Sequence, residues 1–394
     1  MPSEANPSAR PTYPPGCPCL TPSFRGGTVH DRSSPLSQLS GRTVLITGGG
    51  GLIGSRIAKR LRELRARPIS LCTLDAYPSF VYKELFGIDP TDPDVIVSDV
   101  RDREAVGRIL PECDYVVHAA ALADVAACTR NPLAAIQANI IGTQVLLDAV
   151  AATDRIQRFV HVSSASVYGN GNPDETHNVD LLSMRQILES VYGRIPPQFN
   201  EAASPVRPMS VYANTKAWGE TQTALTLGAV GTSYTVVRYF SVYGEPQTIK
   251  PGSHSWVVAW FATRAALGLP LHLHGGGHQI RDLVHVDDIA EGTLRALVAP
   301  QAHTEALNIG TGTPTSVRAV AEQVREHFPN AQCMNTPMPP GDPLGGFAST
   351  RRMEDMLGWR PQVTVPEGVD RYVKWMKKTP AAVPDWLRET SQAG

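Results

Sequence analysis

Residues 41–55 read Gly-Arg-Thr-Val-Leu-Ile-Thr-Gly-Gly-Gly-Gly-Leu-Ile-Gly-Ser, an apolar strand that runs directly into a glycine-rich turn and then a helix. In this order each glycine has a separate task. Gly48 permits the tight turn, Gly51 leaves no Cβ between the main chain and a pyrophosphate, and Gly54 lets the helix pack close to the strand. Leu52 and Ile53 fall on the same turn and share the contact. The following helix, predicted over 55–65, directs its N-terminal N–H groups and positive dipole end at the phosphates. Adjacent glycines alone could form a flexible loop. The strand Thr43–Thr47 before them and the spacing Ile53, Ile57, Leu61, Leu64 after them point instead to a dinucleotide-binding turn.

A net charge of −1 with 19% charged residues provides neither the basic footprint that nucleic acid requires nor a polybasic run for a membrane surface. No apolar run in the sequence is read as reaching the ~18 residues of a bilayer span. The six cysteines, Cys17, Cys19, Cys72, Cys113, Cys128 and Cys333, are scattered except for one Cys-Pro-Cys pair. They read as free thiols of a reducing cytoplasm. Cys17 and Cys19 have no second pair to complete a metal site, and no metal is expected. Residues 1–38 are rich in proline and lack hydrophobic periodicity, the composition of a disordered leader. They contain no apolar h-region of a secretory signal.

Beyond the leader, apolar runs alternate with helical patterns. Strands are predicted over 43–46, 69–74, 95–97, 115–118, 158–162 and 234–238, with a helix over 132–152 among the segments between them. This alternation predicts an α/β fold, a doubly wound parallel sheet with its functional groups at the strand C-terminal ends. A nucleotide-binding domain is expected over 39–245, with an insertion near 170–197 and a return of the chain near 281–312. Residues 246–394 are expected to form mainly a smaller, interleaved substrate-binding region, with helices over 256–267 and 315–327.

Asp75 closes the second predicted strand, where a carboxylate accepts both hydroxyls of an adenosine ribose and repels a 2′-phosphate, which favours NAD. The other reading is a turn-forming Asp. Asp99 and Val100 end the third strand, within reach of an adenine. Ala119, Ala120 and Ala121 end the fourth with side chains small enough for a cofactor to lie against the backbone. Tyr212 and Lys216 stand four apart on a predicted helix and so share a face. A free tyrosine titrates near ~10, and an ammonium beside it, together with a cationic nicotinamide, favours the phenolate. Alone, this pair is also compatible with an ordinary exposed helix face.

Taken in order, the motifs are Thr-Gly-Gly-x-Gly-x-Ile-Gly-Ser from Thr47, His-x-Ala-Ala from His118, Ser-Ser-x-x-Val-Tyr-Gly from Ser163, Tyr-x-x-x-Lys from Tyr212, Arg-Tyr-Phe from Arg238, Arg-Asp-x-x-x-Val-Asp-Asp from Arg281, Asn-Ile-Gly from Asn308 and Leu-Gly-Trp-x-Pro from Leu357. In this the chain resembles, over about 41–361, the extended short-chain dehydrogenases/reductases of the nucleotide-sugar epimerase/dehydratase family. The resemblance implies a Rossmann-type fold, bound NAD, a cytoplasmic homodimer built through a four-helix interface, and a UDP- or dTDP-hexose as substrate. It makes Ser164 the catalytic hydroxyl, Tyr212 the base, and Lys216 the group that holds the nicotinamide ribose and lowers the Tyr212 pKa. It further implies cofactor contacts at Asn139, Tyr239 and Phe240, and substrate contacts at Ser166, Ser241, Trp256, Arg281 and Asp342. It also accounts for His272, His274, His278 and His285 as strand alternation and a glycine-rich turn, without a metal.

Three departures from the family pattern matter. Ser241 stands where Asn follows Arg-Tyr-Phe, Pro339 stands where an arginine usually precedes Gly-Asp, and the surplus residues near 170–197 sit where they could cap the sugar pocket. Dehydratase relatives carry Thr-Asp-Glu where this chain has Ser164-Ala165-Ser166, and neither Ala165 nor Ser166 can act as an acid. Epimerisation at C4 through a transient 4-ketone is therefore the expected reaction. The alternatives are a 4-ketoreductase using the same residues once with exchangeable cofactor and, below it, a 4,6-dehydratase.

Overall fold

The computed structural model describes residues 34–171, 196–250, 256–338 and 344–392. Residues 1–33 of the leader expected over 1–38, Cys17 and Cys19 among them, most of the expected cap (172–195), Pro339 and Asp342 lie outside the described residues.

Val44, Leu45 and Ile46 are fully buried, as befits a strand covered by helices on both faces. They belong to β1 (Thr43–Thr47), followed by β2 (Arg67–Cys72), β3 (Val95–Val97), β4 (Tyr115–His118), β5 (Arg158–Ser164), β6 (Tyr234–Tyr239) and β7 (Glu305–Ile309). All pairings among the seven are parallel, in the order β3-β2-β1-β4-β5-β6-β7. The chain works outward from β1 to β3, then returns to pair β4 with the other side of β1. Ligands bind at this reversal in open α/β sheets, beyond the strand C-terminal ends.

The helix after β1, α1 (Leu52–Glu63), buries Ile57, Ala58 and Leu61 against the sheet. It starts three residues before its predicted position because Leu52 and Ile53 already belong to its first turn. At the N-terminal side, the short turn Pro35–Leu39 buries Leu36 and Leu39 in the same core, ahead of the boundary expected at 39.

The helical run α2 (Pro132–Ala151) corrects one expectation. At 20 residues and mean hydropathy 1.4 it is long and apolar enough to cross a bilayer, where the sequence reading counted no such segment. Its buried side chains Leu146, Leu147 and Val150 pack with the sheet core, and it lies beside α3 (Val211–Val230). Its middle turn, Ile136–Ile141, opens into π geometry around Asn139, a local widening that helices often carry at functional sites.

A second apolar core gathers Val258, Phe261, Leu273, Val320, Val369 and Tyr372 from the chain after β6. Asp282 ties these connections to the sheet. Fully enclosed, its carboxylate accepts from Thr311 N and Oγ1 (2.8 and 2.6 Å), Gly312 N (2.9 Å) and Ala348 N (3.0 Å). The four histidines noted in the sequence do not converge. His272 and His274 alternate on the strand Leu271–His274, whereas buried His285 faces Glu245 and Asp287, the ligand atoms of the three lying within 4.8 Å of one another. Arg371 already donates to both carboxylates (2.9 Å to Glu245, 2.5 Å to Asp287), and Arg56 pairs with Asp287 at 3.1 Å. The cluster is an ion-pair network supplied with its own cations.

Candidate active site

The glycine turn closes with Gly51 N donating to Gly48 O at 3.0 Å and Ser55 N donating to Gly51 O at 2.9 Å. Gly48 has φ +73°, and a Cβ there would stand 2.7 Å from Ala120 N. The turns after β1 and β4 therefore touch through their backbones, which explains the small residues Ala119–Ala121. A Cβ on Gly54 would lie 2.4 Å from Gly48 O, so this glycine sets the helix-to-strand packing. Gly51 differs: its Cβ would meet nothing nearer than Gly48 O at 3.4 Å. Internal packing does not require that glycine, and a side chain there would project into the open cleft.

Asp75 lies three residues beyond β2, exposed, after Leu74 at φ +56°. Its Oδ1 accepts from Thr73 Oγ1 at 2.6 Å. β2 stops earlier than predicted because the chain turns at Leu74. Asp99 is committed to Arg101, accepting from its backbone N (2.8 Å) and from both Nε and Nη2 (2.9 and 2.7 Å). Val100 is buried against Gly142 of α2.

Ser164 ends β5 and caps the short turn Ala165–Tyr168, its Oγ accepting from Ser166 N at 3.2 Å. Tyr212 is the second residue of α3, whose start is fixed by Ser210 Oγ accepting from Ala213 N at 3.1 Å. The Tyr212 phenol lies close enough to Ser164 for that hydroxyl to favour the phenolate. Buried Lys216 lies one turn further along, its Nζ 6.0 Å from the centre of the Tyr212 ring and donating to Val162 O at 2.8 Å. Asn139 steadies the opposite wall. It accepts from Leu122 N at 2.7 Å and donates to Thr215 Oγ1 at 3.0 Å.

The electrostatics depart from expectation. Burial pushes Tyr212 up to about 12, opposed by the Ser164 hydroxyl, and the Lys216 charge is not among the influences on it. Burial also lowers Lys216, to about 8, with Glu220 working against that shift. The ammonium is turned to a backbone carbonyl rather than to the phenol oxygen, so desolvation outweighs its effect on Tyr212.

The other residues expected at the site each make contacts of their own within the fold. Tyr239 belongs to the sheet core, its hydroxyl 2.7 Å from Thr293 Oγ1, and Phe240 is buried beside it. Ser241 opens the strand Ser241–Tyr243, its N donating to Asp282 O at 2.9 Å. Half-buried Trp256 precedes the helix Val257–Ala266. Arg281 pairs with Thr315 in a short antiparallel ladder and donates to Ile280 O at 2.9 Å. Ser166 Oγ is buried with no hydrogen-bond partner among the described residues.

One group escaped the sequence reading. Glu220, a further turn along α3 from Lys216, receives Arg238 bidentately at 2.9 and 2.6 Å and Ser163 Oγ at 2.5 Å. Arg238 also donates to Tyr168 Oη at 2.8 Å, which in turn donates to Asn308 Oδ1 at 2.8 Å. Three separate motifs thus meet around Glu220 in one buried network beneath Ser164 and Lys216. The available signal was the four-residue spacing Tyr212, Lys216, Glu220, which continues one helix face.

A family model described as "NAD dependent epimerase/dehydratase family" matches residues 44–185 and 189–310. The chain belongs to this family. Among curated family members it is similar to a putative UDP-glucose 4-epimerase of Methanocaldococcus jannaschii (29% identity; 85% of this chain, 98% of that protein). It is equally similar to a dTDP-glucose 4,6-dehydratase of Streptomyces antibioticus (29%; 85% and 92%). Among solved structures it resembles UDP-glucose 4-epimerase of Thermotoga maritima with UDP-glucose, at 27% identity and TM-score 0.73 over 86% of this chain and 99% of that one. NAD is the cofactor of the family, and the residues fit it. The cleft over Gly51 is the one a Cβ would enter, and the N–H groups of α1 open onto it.

Proposed function

We propose that the protein interconverts the C4 epimers of a nucleotide-activated hexose through a transient 4-ketone. The observation that carries this reading is the Ser164–Tyr212–Lys216 group at the ends of β5 and α3, followed by Ala165 and Ser166, which offer no acid for expelling a 6-hydroxyl. Tyr212 removes the proton of the 4-hydroxyl and later returns it, while Ser164 holds the same oxygen by hydrogen bond. Lys216 grips the nicotinamide ribose. When bound, NAD would supply the reversible oxidant for C4. Asn139 keeps the wall after β4 at fixed distance from α3, and Asp75 receives the adenosine ribose.

Epimerisation at one carbon requires the flat ketone to present both faces, so the pocket must be closed yet wide. The segment 170–197 suits a cap over it. Asn170 Oδ1 accepts from Leu344 N at 3.2 Å and Pro197 O accepts from Phe347 N at 3.1 Å, so both ends of the segment are tied to 344–347. UDP- and dTDP-hexoses incubated with the enzyme and separated by chromatography should yield C4 epimers. A 4-keto-6-deoxy sugar as product would favour dehydration instead.

A homodimer completes the proposal. Leu133, Ile136 and Ile141 on α2 are 64%, 41% and 49% exposed, and Leu225 on α3 is 65% exposed. Two neighbouring helices presenting apolar side chains in this way suit a two-fold four-helix interface. The double substitution Ile136→Asp, Leu225→Asp should halve the mass measured by light scattering. A wild-type mass equal to one chain would remove the dimer.

A further inference from the structure

The loop that follows the strand Ser241–Tyr243 is anchored at its middle. Gln247 O accepts from Tyr372 Oη at 2.7 Å, and Ile249 is buried in the second apolar core. From there Lys250 reaches across to the other half of the molecule. Its Nζ lies 4.2 Å from the centre of the Tyr77 ring, and that ring is braced edge-on by Tyr82 and Phe86 at 5.8 and 5.3 Å. Lys250 makes no hydrogen bond among the described residues; burial lowers its pKa, and the carboxylates of Asp124 and Asp75 work against that shift. Asp75 follows β2 and Asp124 follows β4. These two strands flank β1, so an ammonium beside Tyr77 and within electrostatic reach of both carboxylates lies on the same edge of the sheet as the glycine turn that follows β1. Asp124 leaves room for such a visitor: its Oδ1 caps the helix Val125–Arg130 at 2.7 Å from Ala127 N, while its buried Oδ2 has no partner among the described residues.

We propose that Lys250 is a cofactor clamp that pairs with the pyrophosphate of NAD and closes the substrate-side loop onto the dinucleotide cleft. The proposal rests on NAD occupying the Gly48–Gly54 cleft. Its chemistry is that of a point charge on a flexible stem, held by cation–π contact and released to a phosphate. The glycine turn offers neutral N–H donors, and a formal charge from the opposite loop adds what they lack.

The test is calorimetric titration of nucleotide-free wild type and Lys250→Gln with NAD, ADP and adenosine, alongside thermal melts. Lys250→Gln should weaken NAD and ADP by about tenfold or more, the worth of one charge-assisted hydrogen bond, and leave adenosine unchanged. Lys250→Arg should restore most of the loss. Unchanged NAD and ADP affinity in Lys250→Gln would overturn the clamp, whether or not its melting temperature fell. An equal loss for adenosine would also overturn it, placing the charge at Asp75 instead. Wild type that binds none of the three would sink the NAD reading itself, a result distinct from failure of the clamp.

Discussion

Tyr212→Phe is expected to fold, to keep NAD, and to lose turnover by at least about a hundredfold, the lower range for removing a general base. The ring is retained, so the packing at the start of α3 survives, and only the phenol oxygen that meets Ser164 is lost. Its pH behaviour follows from the same site. Burial holds the Tyr212 phenol up at about 12, and a base works only once it has lost its proton. The active fraction therefore grows as pH rises, and wild-type turnover should climb across the neutral range. The phenylalanine variant's residual rate should lack that climb. Rates measured from about pH 6 to about pH 8, within the range of greatest stability of most proteins, with bound nucleotide and melting temperature determined in parallel, check this. Near-normal turnover in Tyr212→Phe would remove the residue from the base role.

Glu220→Ala is expected to destabilise the protein by about 3–5 kcal/mol, the cost of leaving a buried charge unpaired. The Arg238 side chain is 7% exposed and its Glu220 partner 11%, so neither can turn to solvent. Arg238 would keep only the Tyr168 hydroxyl as acceptor among the described residues, and Ser163 would lose its acceptor next to Ser164. Glu220→Gln should cost less, because an amide oxygen still accepts from Arg238 and Ser163. Urea denaturation of the three proteins measures the order. A loss under about 1 kcal/mol in Glu220→Ala, the level of an exposed pair, would mean that the network is not part of the site's foundation.

Local pattern carried the architecture a long way. The alternation of apolar runs and helical spacing placed six of the sheet strands within a few residues, because all but the edge strand β3, whose Val97 is 51% exposed, are buried over most of their length and bounded by polar turns. β7 was not among them. Glu-Ala-Leu-Asn-Ile has a strand's burial only because β6 pairs with it and Arg352 reaches its glutamate, and both partners are distant in sequence. The same reason hid the network of Glu220, Arg238, Tyr168 and Asn308. Arg238, Tyr168 and Asn308 each belong to a visible motif and Glu220 to none, and only the fold brings the four together. Tyr212 and Lys216 were legible because four residues on a helix set their placement alone. How Lys216 affects Tyr212 was not, since it depends on the carbonyl of Val162 and on desolvation. Tyr239 shows the opposite limit, a residue of the right motif whose hydroxyl is spent on Thr293 in the helix Val286–Val298. Likewise α2 is apolar enough for a bilayer, and only the sheet core and α3 reveal what most of its apolar face meets.

The central claim is a redox-neutral inversion at C4, in which one hydrogen leaves the sugar carbon and returns to it. Incubating a UDP- or dTDP-hexose deuterated at C4 with the protein, with no added reductant, tests this directly by NMR and mass spectrometry of both epimers. The account predicts an equilibrium mixture in which each epimer keeps deuterium at C4, with no accumulation of reduced-nicotinamide absorbance. It would be contradicted by a hydroxy sugar that stays unepimerised while a 4-keto sugar consumes added NADH or NADPH mole for mole.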